Sequence, residues 1–115
     1  MVVAIIKNLD PESVQNLADQ VSYLPGQIVS RTISQNPHVS MTLFAFAEGE
    51  EISTHDSKGD AMVYVLDGTG EFTVNGEKHT VTSGQFLIMP AQKPHAVYAP
   101  KQFKMLLTVV FPQSE

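Results

Sequence analysis

A chain of 115 residues with 43% hydrophobic and 17% charged residues has room for one compact domain with one core, and is too apolar to be disordered. The absence of cysteine excludes disulfides, thiolate metal sites and a Cys nucleophile, so a metal is expected on His, carboxylate or water. A net charge of -5 with scattered Lys and Arg excludes the basic footprint of a nucleic-acid or anionic-membrane binder, which leaves a small molecule or a second copy of the chain as the expected partner.

In chain order, the apolar start Met1-Val-Val-Ala-Ile-Ile lacks a basic flank, a long apolar stretch and a small-residue cleavage site, so a cytoplasmic location is expected. Asp10-Pro11-Glu12-Ser13 has the form of a helix start, with Asp10 as N-cap and Pro11 in the first turn, and Val14, Leu17, Ala18 and Val21 follow at helical spacing. The same stretch suits an irregular arm lying on a barrel, so residues 1–25 are expected as an arm or a helical turn and 26–115 as the barrel of a single domain.

From residue 26 the pattern changes to short runs of β-branched, aromatic and aliphatic residues separated by turn signals, as in an all-β sandwich or barrel. Strands are predicted over Gln27–Ile33, Val39–Ala47, Ala61–Asp67, Gly70–Val74, Glu77–Val81, Gln85–Met89, His95–Ala99 and Lys104–Phe111. Asn75-Gly76 reads as a two-residue type I′ hairpin, because both residues tolerate positive φ. The strands beginning at Ala61 and Met105 are apolar on both faces, so each is expected to pack on the barrel interior and on a second surface, either a neighbouring sheet or the partner in a homodimer.

Gly49-Glu-Glu-Ile-Ser-Thr-His55 and Gly84-Gln-Phe-Leu-Ile-Met-Pro90 belong to two separated motifs that resemble those of the cupin superfamily. Gly49-Glu-Glu-Ile-Ser-Thr-His55 is similar to the opening of the first cupin motif, and Tyr64-Val-Leu-Asp-Gly68 to its end. Gly84-Gln-Phe-Leu-Ile-Met-Pro90 and Pro94-His95 are similar to the second, and the Asn-Gly hairpin lies between them. The resemblance spans residues 40 to 111 and implies an all-β cupin double-stranded β-helix, a jelly-roll-like barrel. It also implies a site in which inward-facing imidazoles and a carboxylate converge on a divalent transition metal such as Mn, Fe, Ni, Cu or Zn.

His55 and His95 stand at two of the four ligand positions that the resemblance implies. Ser57 stands at the second His position and Ala61 at that of the Glu, while Gln92 and Ala99 replace a Gly and an Asn of the second motif. Two neutral imidazoles alone hold a divalent ion weakly. Asp60, beside the vacant Glu position, faces away from the interior on a regular strand and becomes a ligand only if Lys58-Gly59-Asp60 forms a bulge; Asp56 has the same parity problem. His38 and His79 read as surface residues.

Strand parity places His55, Ser57, Ala61, Val63, Phe72, His95, Val97, Ala99, Met105 and Phe111 around the interior, with Leu107 and Val109, as a mostly apolar pocket carrying two imidazoles and a hydroxyl. Three functions follow from that composition. One is a non-enzymatic cupin binding a small molecule or a weakly held metal. Another is an enzyme with a two-His metal or with His55 or His95 as general base. The third is a structural dimer with a vestigial site.

Overall fold

The computed structural model describes residues 5–113. Its strands are β1 (Ile28–Gln35), β2 (Val39–Phe46), β3 (Glu51–His55), β4 (Asp60–Asp67), β5 (Thr69–Val74), β6 (Glu77–Thr82), β7 (Phe86–Met89), β8 (His95–Tyr98) and β9 (Phe103–Val110). They form two antiparallel sheets, one ordered β1-β2-β9-β4-β7 and the other β3-β8-β5-β6. Strand pleating sets how these face each other. On β4, Ala61, Val63 and Val65 point inward and are buried while Met62 and Tyr64 point out. The buried layer between the sheets is closed by Phe46, Phe72 and Phe103, with Phe46 and Phe103 stacked at 4.7 Å and Phe72 edge-on to Phe103 at 6.0 Å.

Two glycines make this packing possible. A Cβ on Gly70 would lie 2.7 Å from the Phe103 ring, so only glycine lets β5 pass over that aromatic layer. Asn75 and Gly76 have φ of 50° and 83°, which is the type I′ geometry expected of the β5–β6 hairpin.

The helix predicted from Asp10 does not form. Pro11 and Glu12 make a turn, Glu12 takes φ 56°, and the helical piece is a single 3-10 turn, Leu17–Gln20, with no side-chain cap at Asn16. A segment this short gains little from its own hydrogen bonds. Its stability comes instead from laying Leu9, Leu17, Val21 and Tyr23 on the outer face of the first sheet, against Ile33, Leu43, Ala45, Leu66 and Leu106. Lys7 N–H donates to the Ile33 carbonyl at 2.7 Å, and Lys104 reaches across the Tyr23 ring to donate to the Ala18 carbonyl at 2.6 Å.

The arm therefore supplies part of the second surface expected beside the two-faced strands, since it covers Leu66 and Leu106. Further along the same face Met62, Tyr64, Phe86 and Ile88 stay exposed, paired by register as Met62 with Ile88 and Tyr64 with Phe86. Strand β3 is absent from the sequence reading. Its residues are mostly polar and exposed, with only Ile52 half-buried, so it shows no apolar alternation and is held by pairing with β8. Among the described residues no helix is long and apolar enough to cross a membrane.

Candidate functional site

Strands β3 and β8 run antiparallel at one end of the second sheet, and an irregularity between Ile52 and His55 brings His55 directly opposite His95. The two rings lie 4.3 Å apart between centroids, edge to face at 68°. His95 is buried at 4% exposure, and His55 is open to solvent. The pair thus spans the rim of the barrel, one ring inside and one at the mouth.

Each ring is oriented by the same local device. Nδ1 of His55 lies 2.9 Å from the Ser53 carbonyl, and Nδ1 of His95 lies 3.1 Å from the Lys93 carbonyl. A carbonyl oxygen only accepts, so each Nδ1 carries the proton and donates it. In the neutral ring Nε2 then keeps its lone pair, and neither Nε2 has a hydrogen-bond partner among the described residues. The basicity of His95 is pushed below the ordinary imidazole range, first by burial and then by the neighbouring His55. The Lys93 carbonyl and, more weakly, Asp56 act in the opposite direction, and burial outweighs them. His95 is a free base at neutral pH.

The pair borders a cavity of about 80 Å³ between the sheets. Ser57, Ala61, Val97, Met105, Leu107 and Val109, all expected inside from strand parity, line it together with His55 and His95. Ser57 donates its hydroxyl to the Gly59 carbonyl at 2.7 Å. Ile52 and Met89 also line the cavity, and the sequence did not place them inside. Ile52 belongs to the strand that went unread. Met89 carried no local signal, because Phe86-Leu-Ile-Met89 is apolar at every position; only the structure, where exposure alternates along the strand, puts Met89 on the inner face.

The structure places the other candidate residues away from the void. Val63, Phe72 and Ala99 do face inward, but all three are fully buried in the packed core and do not border the void. Phe111 lies beyond the end of β9, where its N–H donates to the His38 carbonyl, and it lines a surface groove with Pro37 and Lys58. Asp60 faces out, as on a regular strand: the register Asp60 to Val110 and Ala61 to Val109 runs without a bulge. Its Oδ1 accepts from the Ala91 N–H at 2.8 Å. Gly59 is pressed against β9, where a Cβ would lie 2.4 Å from the Val110 carbonyl. His38 is exposed and bonded to Gln113, while His79 borders a different groove on β6. Among the described residues no three His, Cys, Asp or Glu side chains converge as a metal-holding group.

Comparison with known proteins matches residues 42–111 to the cupin domain family. A conserved protein of unknown function from Streptococcus pyogenes is 39% identical, with 99% of this chain and 100% of the other covered and a TM-score of 0.95. A cupin superfamily protein from Desulfitobacterium hafniense is 31% identical over 95% of this chain and 100% of the other, with a TM-score of 0.90. A cupin 2 conserved barrel domain protein from Leptotrichia buccalis is 42% identical over 84% of this chain and 47% of the other, with a TM-score of 0.82. No curated protein matches. The family match spans more than half the chain, and the chain belongs to the cupin family.

Proposed function

We propose that this cupin is a binding protein for a small guest, held at its polar end by His55 and His95 and along its body by the apolar wall of the cavity. One observation carries the reading: two lone-pair Nε2 atoms, each with its Nδ1 tied to a backbone carbonyl, stand together at the mouth of an otherwise apolar void. Groups fixed in this way are pre-organised to accept hydrogen bonds from a guest. At about 80 Å³ the cavity is well below the 300 to 1,000 Å³ usual for drug-sized ligands, so the guest has few heavy atoms.

The divalent ion that the family implies does not fit this donor set. Ala61 offers no carboxylate, Asp60 is committed to Ala91, and two neutral imidazoles fill only half of a four-coordinate shell. A second reading, general-base catalysis, is favoured by one feature, the lowered basicity of His95 beside an open cavity.

The reading is tested by recording methyl and histidine NMR spectra while short-chain alcohols and carboxylic acids are added one at a time. At least one is expected to shift the Val97, Val109 and His95 signals together, with the response lost in His95→Gln. If no member of the set moves these signals in the wild-type protein, the small-molecule reading is wrong.

A further inference from the structure

The edge of a sheet is a row of unpaired N–H and C=O groups that can template another strand, and three of the four edges in this barrel are blunted. Strand β1 carries Arg31 and a register shift between Thr32 and Ser34, and the arm covers it through the bond from Lys7 N–H to the Ile33 carbonyl. Strand β3 carries Glu51 and a register shift before His55, and β6 carries Glu77 and Lys78. Strand β7 has none of these devices. Phe86-Leu-Ile-Met89 holds no charge and no proline, pairs with β4 without a bulge, and ends its sheet. Among the described residues, no backbone hydrogen bond reaches its outer side.

The register fixes which groups stand open there. Val65 N–H donates to the Gln85 carbonyl at 3.0 Å, so these two form a hydrogen-bonded pair, and in an antiparallel ladder such pairs recur at every second residue. Leu87 opposite Val63 and Met89 opposite Ala61 therefore bond to β4, while the N–H and C=O of Phe86 and Ile88 point away from it. The side chains of the same two residues lie on the outer face, 60% and 53% exposed, beside Met62 and Tyr64. At about 200 Å² for a fully exposed residue of this size, the four leave about 400 Å² of continuous apolar surface. Two such faces supply about 800 Å² of the roughly 1,000 Å² that a specific interface needs. The edge backbone and the groove beside Phe86 and Leu87, which His79, Thr80 and Gln85 also line, supply the remainder.

The occupant that matches both the backbone and the side chains is the same strand from a second copy. With a twofold axis at Leu87 and the two strands antiparallel, Phe86 stands opposite the partner's Ile88 and Ile88 opposite the partner's Phe86. Both then become hydrogen-bonded pairs, because their N–H and C=O groups are the ones that face outward. On the outer face the Phe and Ile side chains of the two copies alternate across the seam, flanked on each side by Met62 and Tyr64. No charged residue of β7 enters the seam, so it offers no counter-charge to an acidic or basic partner. We propose that β7 is a self-association edge, through which two copies of this chain join their five-stranded sheets into one continuous sheet. This interface does not depend on what the cavity binds.

Sedimentation velocity from low to high micromolar protein tests the proposal on the wild type, Ile88→Lys and Val14→Lys, the last a control at an open position on the arm. Lysine is a device that blunts sheet edges, and two of them on the diagonal of the seam would lie about 7 Å apart. The wild type is expected to form a dimer, Val14→Lys to match it, and Ile88→Lys to associate at least about tenfold more weakly. Hydrogen exchange of the wild type, read residue by residue, separates this seam from any other. Between dilute and concentrated protein the larger gain in protection is expected at the Phe86 and Ile88 amides, because those of Leu87 and Met89 are already bonded to β4.

A chain that stays monomeric at the highest concentration overturns the proposal. So does a dimer that Ile88→Lys leaves intact, or one whose formation leaves the Phe86 and Ile88 amides unprotected. Should Ile88→Lys fail to fold, the exchange pattern of the wild-type protein decides alone.

Discussion

Replacing Ala61 by leucine tests the cavity itself. Ala61 is 2% exposed, borders the void, and lies in register between Met89 and Val109. A void of about 80 Å³ at about 24 cal/mol per Å³ represents about 2 kcal/mol of packing that the native chain forgoes. Leucine adds three carbons in that direction and recovers part of it, offset by about 0.5 to 1.5 kcal/mol if its rotamer is imperfect. The net change lies between zero and about 2 kcal/mol of stabilisation, a midpoint unchanged or raised by up to roughly 10 °C for a domain of this size. The same substitution at Ala99, which is 0% exposed and borders no void, inserts the same atoms into closed packing and costs about 1 to 3 kcal/mol. Thermal unfolding followed by circular dichroism compares the two. If Ala61→Leu lowers the midpoint as far as Ala99→Leu does, the void is not there and the site account fails with it.

Other predictions follow from the same packing and hydrogen bonds. Gly70→Ala forces a methyl to within 2.7 Å of the Phe103 ring, which is itself stacked on Phe46, so it is expected to cost about 1 to 3 kcal/mol; urea unfolding reads this, and a loss below about 0.5 kcal/mol contradicts the aromatic layer. Stability falls as pH drops through 6.5, because His95 is held below that ordinary value in the folded chain and the unfolded chain takes up the proton first. The fall levels off once the pH is beneath the folded value of His95, and it is smaller in His95→Gln; equal slopes in the two proteins refute the assignment. Tyr23→Phe removes the hydroxyl that donates to Asp67 and loosens the arm, so hydrogen exchange at the Lys7 amide, bonded to Ile33, is expected to accelerate while the amides of β4 and β9 are unaffected. Unchanged protection at Lys7 shows that the arm is not held through Tyr23.

The parts of the fold legible in the sequence are those where one face of a strand meets the core. The strands read over Gly70–Val74 and Glu77–Val81 and the Asn75-Gly76 turn between them are written in local residue choice, and they recur in the structure as Thr69–Val74 and Glu77–Thr82 with small boundary shifts. Strand β3 is legible only in three dimensions, because Glu51, Ser53 and Thr54 are exposed and the strand exists through its pairing with β8. The helix signal at Asp10-Pro11 is overridden by tertiary packing: the arm gains more by spreading Leu9, Leu17 and Val21 over the sheet than by closing helical turns. For the site, strand parity placed Ser57, Ala61 and Val97 at the cavity, while it could not separate a wall that borders space from one that meets another side chain. That is why Val63, Phe72 and Ala99 belong to the closed core, and why Phe111, one residue past β9, leaves the interior.

The central claim is that both imidazoles present a free Nε2 lone pair to the cavity mouth. Long-range proton–nitrogen correlation spectra of the histidine rings at neutral pH read the tautomers directly. Protonated Nδ1 and unprotonated Nε2 are predicted for both His55 and His95, following their bonds to the Ser53 and Lys93 carbonyls. A proton on Nε2 of either ring contradicts the account, because the pair would then have only one lone pair to offer a guest.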